Sequence, residues 1–168
     1  MNKQDKAELK ETIKFYYGCL IGVRGLKLDM ENVKREKKFY TKPDSAISIE
    51  MKNDQLNRLQ QEKCCLELRL IYSKRFVDKF ESELEKVKLI HGKDYYDMFH
   101  KLYIERLAIS RIASIHHIHE SSVSRKSAKV AATLFENIQE SYEMTKLKLK
   151  EVEEFQNELA KEFFVGLD

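Results

Sequence analysis

Apolar residues recur along most of the chain at the spacing of one helix face. From about Asp5 to Val23 they lie three or four positions apart, which predicts one amphipathic helix. From about Ala46 to Ile90 the same alternation continues as a heptad seam. The seam consists of Leu59, Lys63, Leu66, Leu70, Ser73, Val77, Phe80, Leu84 and Val87. Because Lys63 and Ser73 interrupt it, the pattern favours an antiparallel hairpin with the first helix, or a dimer contact, over an ideal zipper.

Breaks in this pattern predict where the helices end. The lysine-rich segment "VKREKKFYTKPDS", residues 33–45, predicts a connection and the main hinge, because Pro43 with Asp44 and Ser45 interrupts helix before the next seam. Farther along, Gly92 in "HGKD" is suited to a left-handed C-terminal cap.

Three glycines near the end of the first helix allow two interpretations. Gly18, Gly22 and Gly25 recur at helical intervals, so they could let another helix approach closely. We favour a weak helix end, because glycine lowers helix stability.

The C-terminal half predicts three more helical segments. The first carries Tyr95, Met98, Phe99, Leu102 and Tyr103. A short helical pair follows, and then a tail that keeps its apolar face to about Phe164, with Thr145 as a candidate break. We therefore expect an all-α fold: a long helical hairpin or coiled-coil-like N-terminal part, a helix-turn-helix unit and a long C-terminal helix. The expected regions are a scaffold or oligomerisation region at residues 1–92, a helix-turn-helix unit at 93–135 and a packing or dimerisation helix at 136–168.

Composition agrees with this fold and narrows the function. Of 168 residues, 35% are charged and only one is proline, which favours helix nearly throughout. The N-terminus has no apolar signal-peptide core and no uncharged stretch could span a bilayer, so we expect a cytoplasmic protein with no membrane partner.

The odd number of cysteines, Cys19, Cys64 and Cys65, favours reduced, partly buried thiols. No glycine-rich phosphate loop or nucleophile motif is present, so we expect no enzyme, no catalytic residue and no cofactor.

The segment "RIASIHHIHESSVSRKSAKVAATL", residues 111–134, predicts two crossed helices. Ile112 and Ala113, together with Ile109 just before the segment, suit a short helix with two apolar contacts and one small residue. A turn with Ile118 pointing inward follows. The next helix has one apolar face, formed by Val123, Ser127, Val130 and Leu134. Together these features predict a helix-turn-helix unit.

Three histidines fall in the turn of this unit: His116, His117 and His119. A metal site would need two of them to converge with a third ligand at a fixed spacing, and no such partner is visible. We therefore predict that they serve the architecture of the turn and bind no metal.

The stretch from Tyr103 to Leu134 resembles the promoter-reading region of bacterial sigma factors and, more closely, phage late-gene transcription regulators of the RinA and ArpU kind. The matching positions are Tyr103, Ile104, Ile112, Ala113, Ile118 and Val123, without gaps. The resemblance covers about a fifth of the chain. It departs from the family pattern at the three histidines: His117 replaces a turn glycine, His116 a core leucine, and His119 the serine or threonine that caps the recognition helix.

The resemblance implies a sequence-specific DNA-binding regulator of phage or prophage type, an activator of late genes, with residues 93–135 as its DNA-binding unit. With Val123 facing the core, the first turns of the recognition helix would enter the major groove. The predicted base-reading residues are Glu120, Ser121, Ser122, Ser124 and Arg125. The predicted phosphate contacts are Arg106, Ser110, Arg111, Lys126 and Lys129. The implied partners are double-stranded promoter DNA, a second copy of the chain and, as a further candidate, host RNA polymerase.

The distribution of charge is compatible with this function. Residues 106–130 carry five positive side chains and one acidic one, a net charge of +4, whereas residues 136–168 carry four positive and nine acidic ones, a net charge of −5. The plain alternative is a solvated helix surface. A second hypothesis is a protein-interaction module, an inhibitor or antagonist with a diverged helix-turn-helix, and a weaker third is a small terminase subunit.

Overall fold

The protein is almost entirely helical in the computed structural model, which describes residues 1–43 and 47–164. Five α-helices follow one another, and the described ranges contain no β-strand, so the predicted all-α class is confirmed. The elements are α1 (Lys3–Tyr40), α2 (Ile49–His91), α3 (Lys93–Phe99), a π-helical segment (His100–Ile104), α4 (Ile109–His116) and α5 (Glu120–Phe164).

The first helix is longer than the sequence pattern predicts. The segment expected to be a connection continues as helix to Tyr40, so that prediction is wrong for residues 33–40. Val33 supplies the reason, because it is buried against Leu59 and Leu66 while the lysines around it lie at the surface. The predicted break at Asp44 and Ser45, and the predicted start at Ala46, lie outside the described residues.

The glycines of α1 do not end the helix, which corrects the favoured interpretation. Gly18, Gly22 and Gly25 all lie inside α1. A Cβ atom added at any of them would meet no other atom within 4 Å, so no neighbouring part of this chain requires glycine there.

The chain divides into two compact units, and α1, α2 and α5 each contribute to both. One unit comprises Met1–Gly18 and Phe76–Glu143, and the other comprises Cys19–Arg75 and the described residues from Met144 onward. The functional regions predicted from the sequence, with boundaries after residues 92 and 135, stay predictions.

The unit that begins at Cys19 contains half of the predicted heptad seam. Leu59, Leu66 and Ser73 are buried, whereas the interrupting Lys63 lies at the margin and pairs with Glu67 on the next turn. Cys19 is a buried free thiol. Burial raises the pKa of this thiol to about 11 and outweighs the opposing hydrogen bond with Ser73, so the thiol stays protonated at neutral pH.

The unit that begins at Met1 has an aromatic core between α1, α2 and α5. The ring of Tyr16 stacks on Phe80 with centroids 4.3 Å apart, and Phe15 meets Phe76 and Tyr142 edge-on. The Tyr16 hydroxyl donates a hydrogen bond of 2.9 Å to Glu81 at the rim. Aromatic pairs of this kind add to the free energy of burial.

The last helix is continuous, so the candidate break near Thr145 is not present. α5 passes through this position as regular helix. Tyr142 and Val152, which lie on either side of it, are both buried. No helix in the described part of the chain is long and apolar enough to cross a membrane.

The predicted helix-turn-helix unit is present in the structure. α4 and the start of α5 pack on α3 and the π-helical segment through a buried cluster of Met98, Ile112, Ala113 and Val123. Ile118 and Leu107 pack against its edge. The predicted inner face of the second helix is also confirmed, because Val123, Ser127, Val130 and Leu134 are all buried. The cluster fixes which side of α5 faces outward.

Replacing Ile112 with alanine should lower the free energy of unfolding by about 2 to 5 kcal/mol, because the side chain is fully buried and its removal leaves a cavity. Ile115→Ala is the matched control on the same helix, since Ile115 is 48% exposed and its removal should cost much less. Urea titration followed by circular dichroism measures both. Equal losses for the two variants would contradict the cluster.

Candidate nucleic-acid interface

The turn between α4 and α5 depends on one residue in the left-handed conformation. His117 has φ 53° and ψ 43°, as the family pattern predicts for the usual glycine position. The amide of Ile118 donates to the carbonyl of Ala113 at 3.1 Å, and the amide of His117 donates to the carbonyl of Ser114 at 3.4 Å. These bonds and the inward contact of Ile118 form a Schellman motif, which ends α4 and reverses the chain.

His119 caps the start of α5. Its carbonyl accepts hydrogen bonds from the amides of Ser122 and Val123, and its ring Nδ1 accepts one of 3.3 Å from the amide of Ser121. The Ser121 hydroxyl lies 2.8 Å from the same nitrogen. This contact places the ring at the capping position of α5. That His119 caps only in its neutral form stays a prediction.

His116 faces two carboxylates of α3. Its Nε2 lies 2.9 Å from Asp97 and its Nδ1 lies 3.6 Å from Asp94, with only 17% of the side chain exposed. The Nε2 atom is buried without a well-aligned hydrogen bond, so the contact with Asp97 is close but poorly directed. The side chain at this position therefore makes a polar contact with α3 rather than the apolar one expected from the resemblance.

The three histidines therefore point to three different environments. His116 meets the acids of α3, His117 is exposed at the turn, and His119 caps α5. Within residues 1–43 and 47–164, no three histidine, cysteine or acidic side chains converge as a metal ion would require.

The predicted base-reading residues share the first turns of α5. Arg125 is exposed and has no acidic partner among the described residues, so its guanidinium is available to a ligand. Four of the five candidates are exposed and Ser122 is half-buried: Glu120, Ser121, Ser122, Ser124 and Arg125. The structure therefore brings all five together on or beside one surface, the α5 flank.

The residues predicted to contact phosphates differ in their exposure and in their charge partners. Ser110 and Arg111 are exposed on α4, and Lys129 is exposed on α5. Lys126 is only 22% exposed and its ammonium lies 2.8 Å from Asp94, above the ring of Tyr95. Its charge is thus already compensated inside the protein.

Arg106 occupies a different setting from the other candidates. It lines a groove with Lys10 and Lys14 of α1, and it has a left-handed backbone with φ 57°. Sequence reasoning missed both lysines. Their spacing of four places them on one face of α1, but only the fold brings that face to Arg106.

Sequence reasoning also missed the acids of α3. Burial alone would raise the pKa of Asp97, but the ammonium of Lys101 and the imidazole of His116 outweigh burial and hold that pKa below its usual value. The sequence signal for these acids was their spacing of three positions, which places both carboxylates on one side of α3. Nothing local in the sequence indicates that this side faces the turn of the helix-turn-helix.

Comparisons with protein-family models, with curated proteins and with solved structures find no match to this chain.

Replacing His117 with glycine should raise the free energy of unfolding by up to about 1 kcal/mol, because glycine adopts the left-handed backbone without the steric cost that histidine carries. Thermal denaturation measures the change. Ser114→Gly, inside α4, is the control and should lower stability by about 0.5 kcal/mol. A destabilised His117→Gly variant would show that the imidazole contributes more than the backbone costs.

Acid should weaken the contact between α3 and the turn. Because the folded pKa of Asp97 lies below its unfolded value, its contribution to stability is present above an unfolded pKa of about 4 and is lost as pH falls through the lower, folded value. We expect Asp97→Asn to lose less stability than the parent between about pH 5 and pH 3. Urea titrations across this range, with exposed Asp29→Asn as the control, measure the difference. Parallel pH profiles for the parent and Asp97→Asn would contradict the assignment.

Proposed function

We propose that this chain is a sequence-specific DNA-binding regulator of transcription, of the phage late-gene activator type, that reads duplex DNA with the first turns of α5. One observation carries the proposal: α4, a left-handed turn and α5 close over Ile112, Ala113 and Val123, while the side with Arg125 is open to solvent. This is the arrangement in which a second helix can enter a major groove.

The chemistry of the α5 flank suits base edges. Arg125 presents a planar fork of donors that can pair with O6 and N7 of guanine, and Ser121 and Ser124 can donate or accept. Glu120 can accept from a cytosine amine, and its charge also favours the N-terminal end of α5. Arg125 is the residue on which we expect sequence discrimination to depend most.

Backbone contacts would come from the flanks of the same surface. Arg111 and Ser110 on α4, with Lys129 on α5, are exposed and placed to hold phosphates, which set orientation without reading sequence. Lys126 should contribute less than its charge suggests, because Asp94 competes for its ammonium.

Homo-oligomerisation and contact with RNA polymerase stay predictions. Large apolar side chains remain exposed in the unit that begins at Cys19, among them Ile21, Leu28, Leu68, Ile71 and Leu147. A paired arrangement would let two helix-turn-helix units read half-sites about one DNA turn apart.

The test is selection of bound sequences from a random duplex library by the full chain, followed by affinity measurement at several salt concentrations. Arg125→Ala should weaken the selected complex by about 1 to 3 kcal/mol, roughly 5-fold to 150-fold, and relax preference at one base pair. Lys129→Gln should weaken all sequences alike and reduce the salt dependence. Arg35→Ala, an exposed arginine of α1, is the matched control and should bind like the parent.

Two outcomes would count against the proposal. The first is a library from which no sequence is enriched at any salt concentration. The second is an enriched sequence whose affinity is equal for the parent, Arg125→Ala and Arg35→Ala. Stoichiometric capture of a protein partner that persists without Arg125 and Lys129 would instead favour an interaction module.

A further inference from the structure

A groove with mostly cationic walls lies beside the π-helical segment, apart from the α5 flank. It has a volume of about 530 Å³, and we call it the cationic groove. Its lining residues are Lys10, Glu11, Lys14, Leu102, Tyr103 and Arg106. All of them belong to the unit that begins at Met1.

The groove carries uncompensated positive charge. Three cationic side chains and one carboxylate line it, a net charge of +2. Glu11 lies 3.8 Å from Lys14, which takes up that single negative charge. Lys10 and Arg106 have no acidic partner within the described ranges. Like charges gathered without a counter-charge repel one another, so an anion that bound here would be favoured.

The backbone at Arg106 suggests that its side chain has a use. The amide of Leu107 donates to the carbonyl of Lys101 at 2.9 Å and closes the π-helical segment, which places Arg106 in the left-handed region. Glycine is the residue that such a helix end favours, and an L-residue there costs about 1 to 2 kcal/mol. Arginine therefore occupies the position at a cost, and its guanidinium lines the groove. A π-helical turn is also frequent beside functional sites.

The inner wall is provided by Leu102 and Tyr103. Tyr103 is only 8% exposed, and its ring stacks on Phe99 with centroids 5.2 Å apart, so this wall is held by the core. Burial raises the pKa of the Tyr103 hydroxyl, which keeps its proton and can donate a hydrogen bond. The groove thus combines a fixed wall with flexible cations at its edge.

We propose that the cationic groove binds the terminal phosphate of a phosphate monoester. A monoester carries a charge of about −1.5 to −2 at pH 7, which matches the net charge of the groove, whereas each phosphodiester of DNA carries only one negative charge. The guanidinium of Arg106 can hold two phosphate oxygens at once, and Lys10 and Lys14 add point charges. This site does not depend on the DNA-binding proposal.

Calorimetric titration of the full chain with inorganic phosphate tests the proposal, with dimethyl phosphate as the diester probe at matched ionic strength. We expect saturable phosphate binding, and at least about tenfold weaker binding of dimethyl phosphate.

Arg106→Gly should weaken phosphate binding at least about tenfold, because a hydrogen-bonded charge pair is lost. The glycine variant relieves the backbone at this position, so its thermal midpoint should not fall. Lys10→Gln should weaken binding in the same direction, and Arg35→Ala, on α1 but outside the groove, should not.

Any one of three results would overturn the proposal. A dissociation constant above about 10 mM for the parent would mean that the groove is not a phosphate site. Equal binding of phosphate by the parent and the Arg106→Gly variant would place any observed binding elsewhere. If Arg106→Gly weakens binding of duplex DNA but not of phosphate, the cations serve the DNA backbone and the monoester assignment is wrong.

Discussion

The geometry of the candidate interface depends on the reversal of the chain at His117. A left-handed residue at this position lets Ile118 return to Ala113 and directs α5 across α4. Without it, α4 and α5 would continue as one rod and Val123 would lose its buried partners. Because successive residues of a helix are about 100° apart, the burial of Val123 places Arg125 on the opposite side. One backbone conformation and one apolar cluster therefore determine which side chains a ligand can reach.

The acids of α3 then decide which of the nearby cations remain available. Asp94 holds Lys126, Asp97 holds Lys101, and both carboxylates face His116. The cations of this region that remain available to a ligand are therefore the exposed ones, chiefly Arg111, Arg125 and Lys129. Such contacts at partly exposed positions contribute modest stability and are screened by salt. Their larger effect is on orientation, because they attach His116 at the end of α4 and Lys126 of α5 to α3.

Sequence reasoning succeeded where a local rule decides the structure. The periodicity of Val123, Ser127, Val130 and Leu134 reports a buried face directly, and the family pattern identified the left-handed turn residue. It failed where a distant contact overrides composition. Lysines around Val33 suggested a connection, yet the segment is helical, and Val33 and Tyr40 pack in one apolar cluster with α2. The partners of His116 and the meeting of Lys10 with Arg106 could not be predicted either, because both need the packing of separate helices.

The turn differs at three histidines from the pattern that the sequence resembles, and each histidine has an identifiable compensation. His117 adopts the left-handed backbone at a steric cost, the His119 ring meets the amide of Ser121 through Nδ1, and His116 lies against the carboxylates of Asp94 and Asp97. None of these compensations uses a side chain of the α5 flank beyond Ser121. Changes that would remove DNA reading are expected on that flank, where Ser124 and Arg125 remain open to solvent. The three histidines therefore affect how the unit is held together and leave its outward chemistry intact, which supports the DNA-binding proposal over a helix-turn-helix kept only as a scaffold.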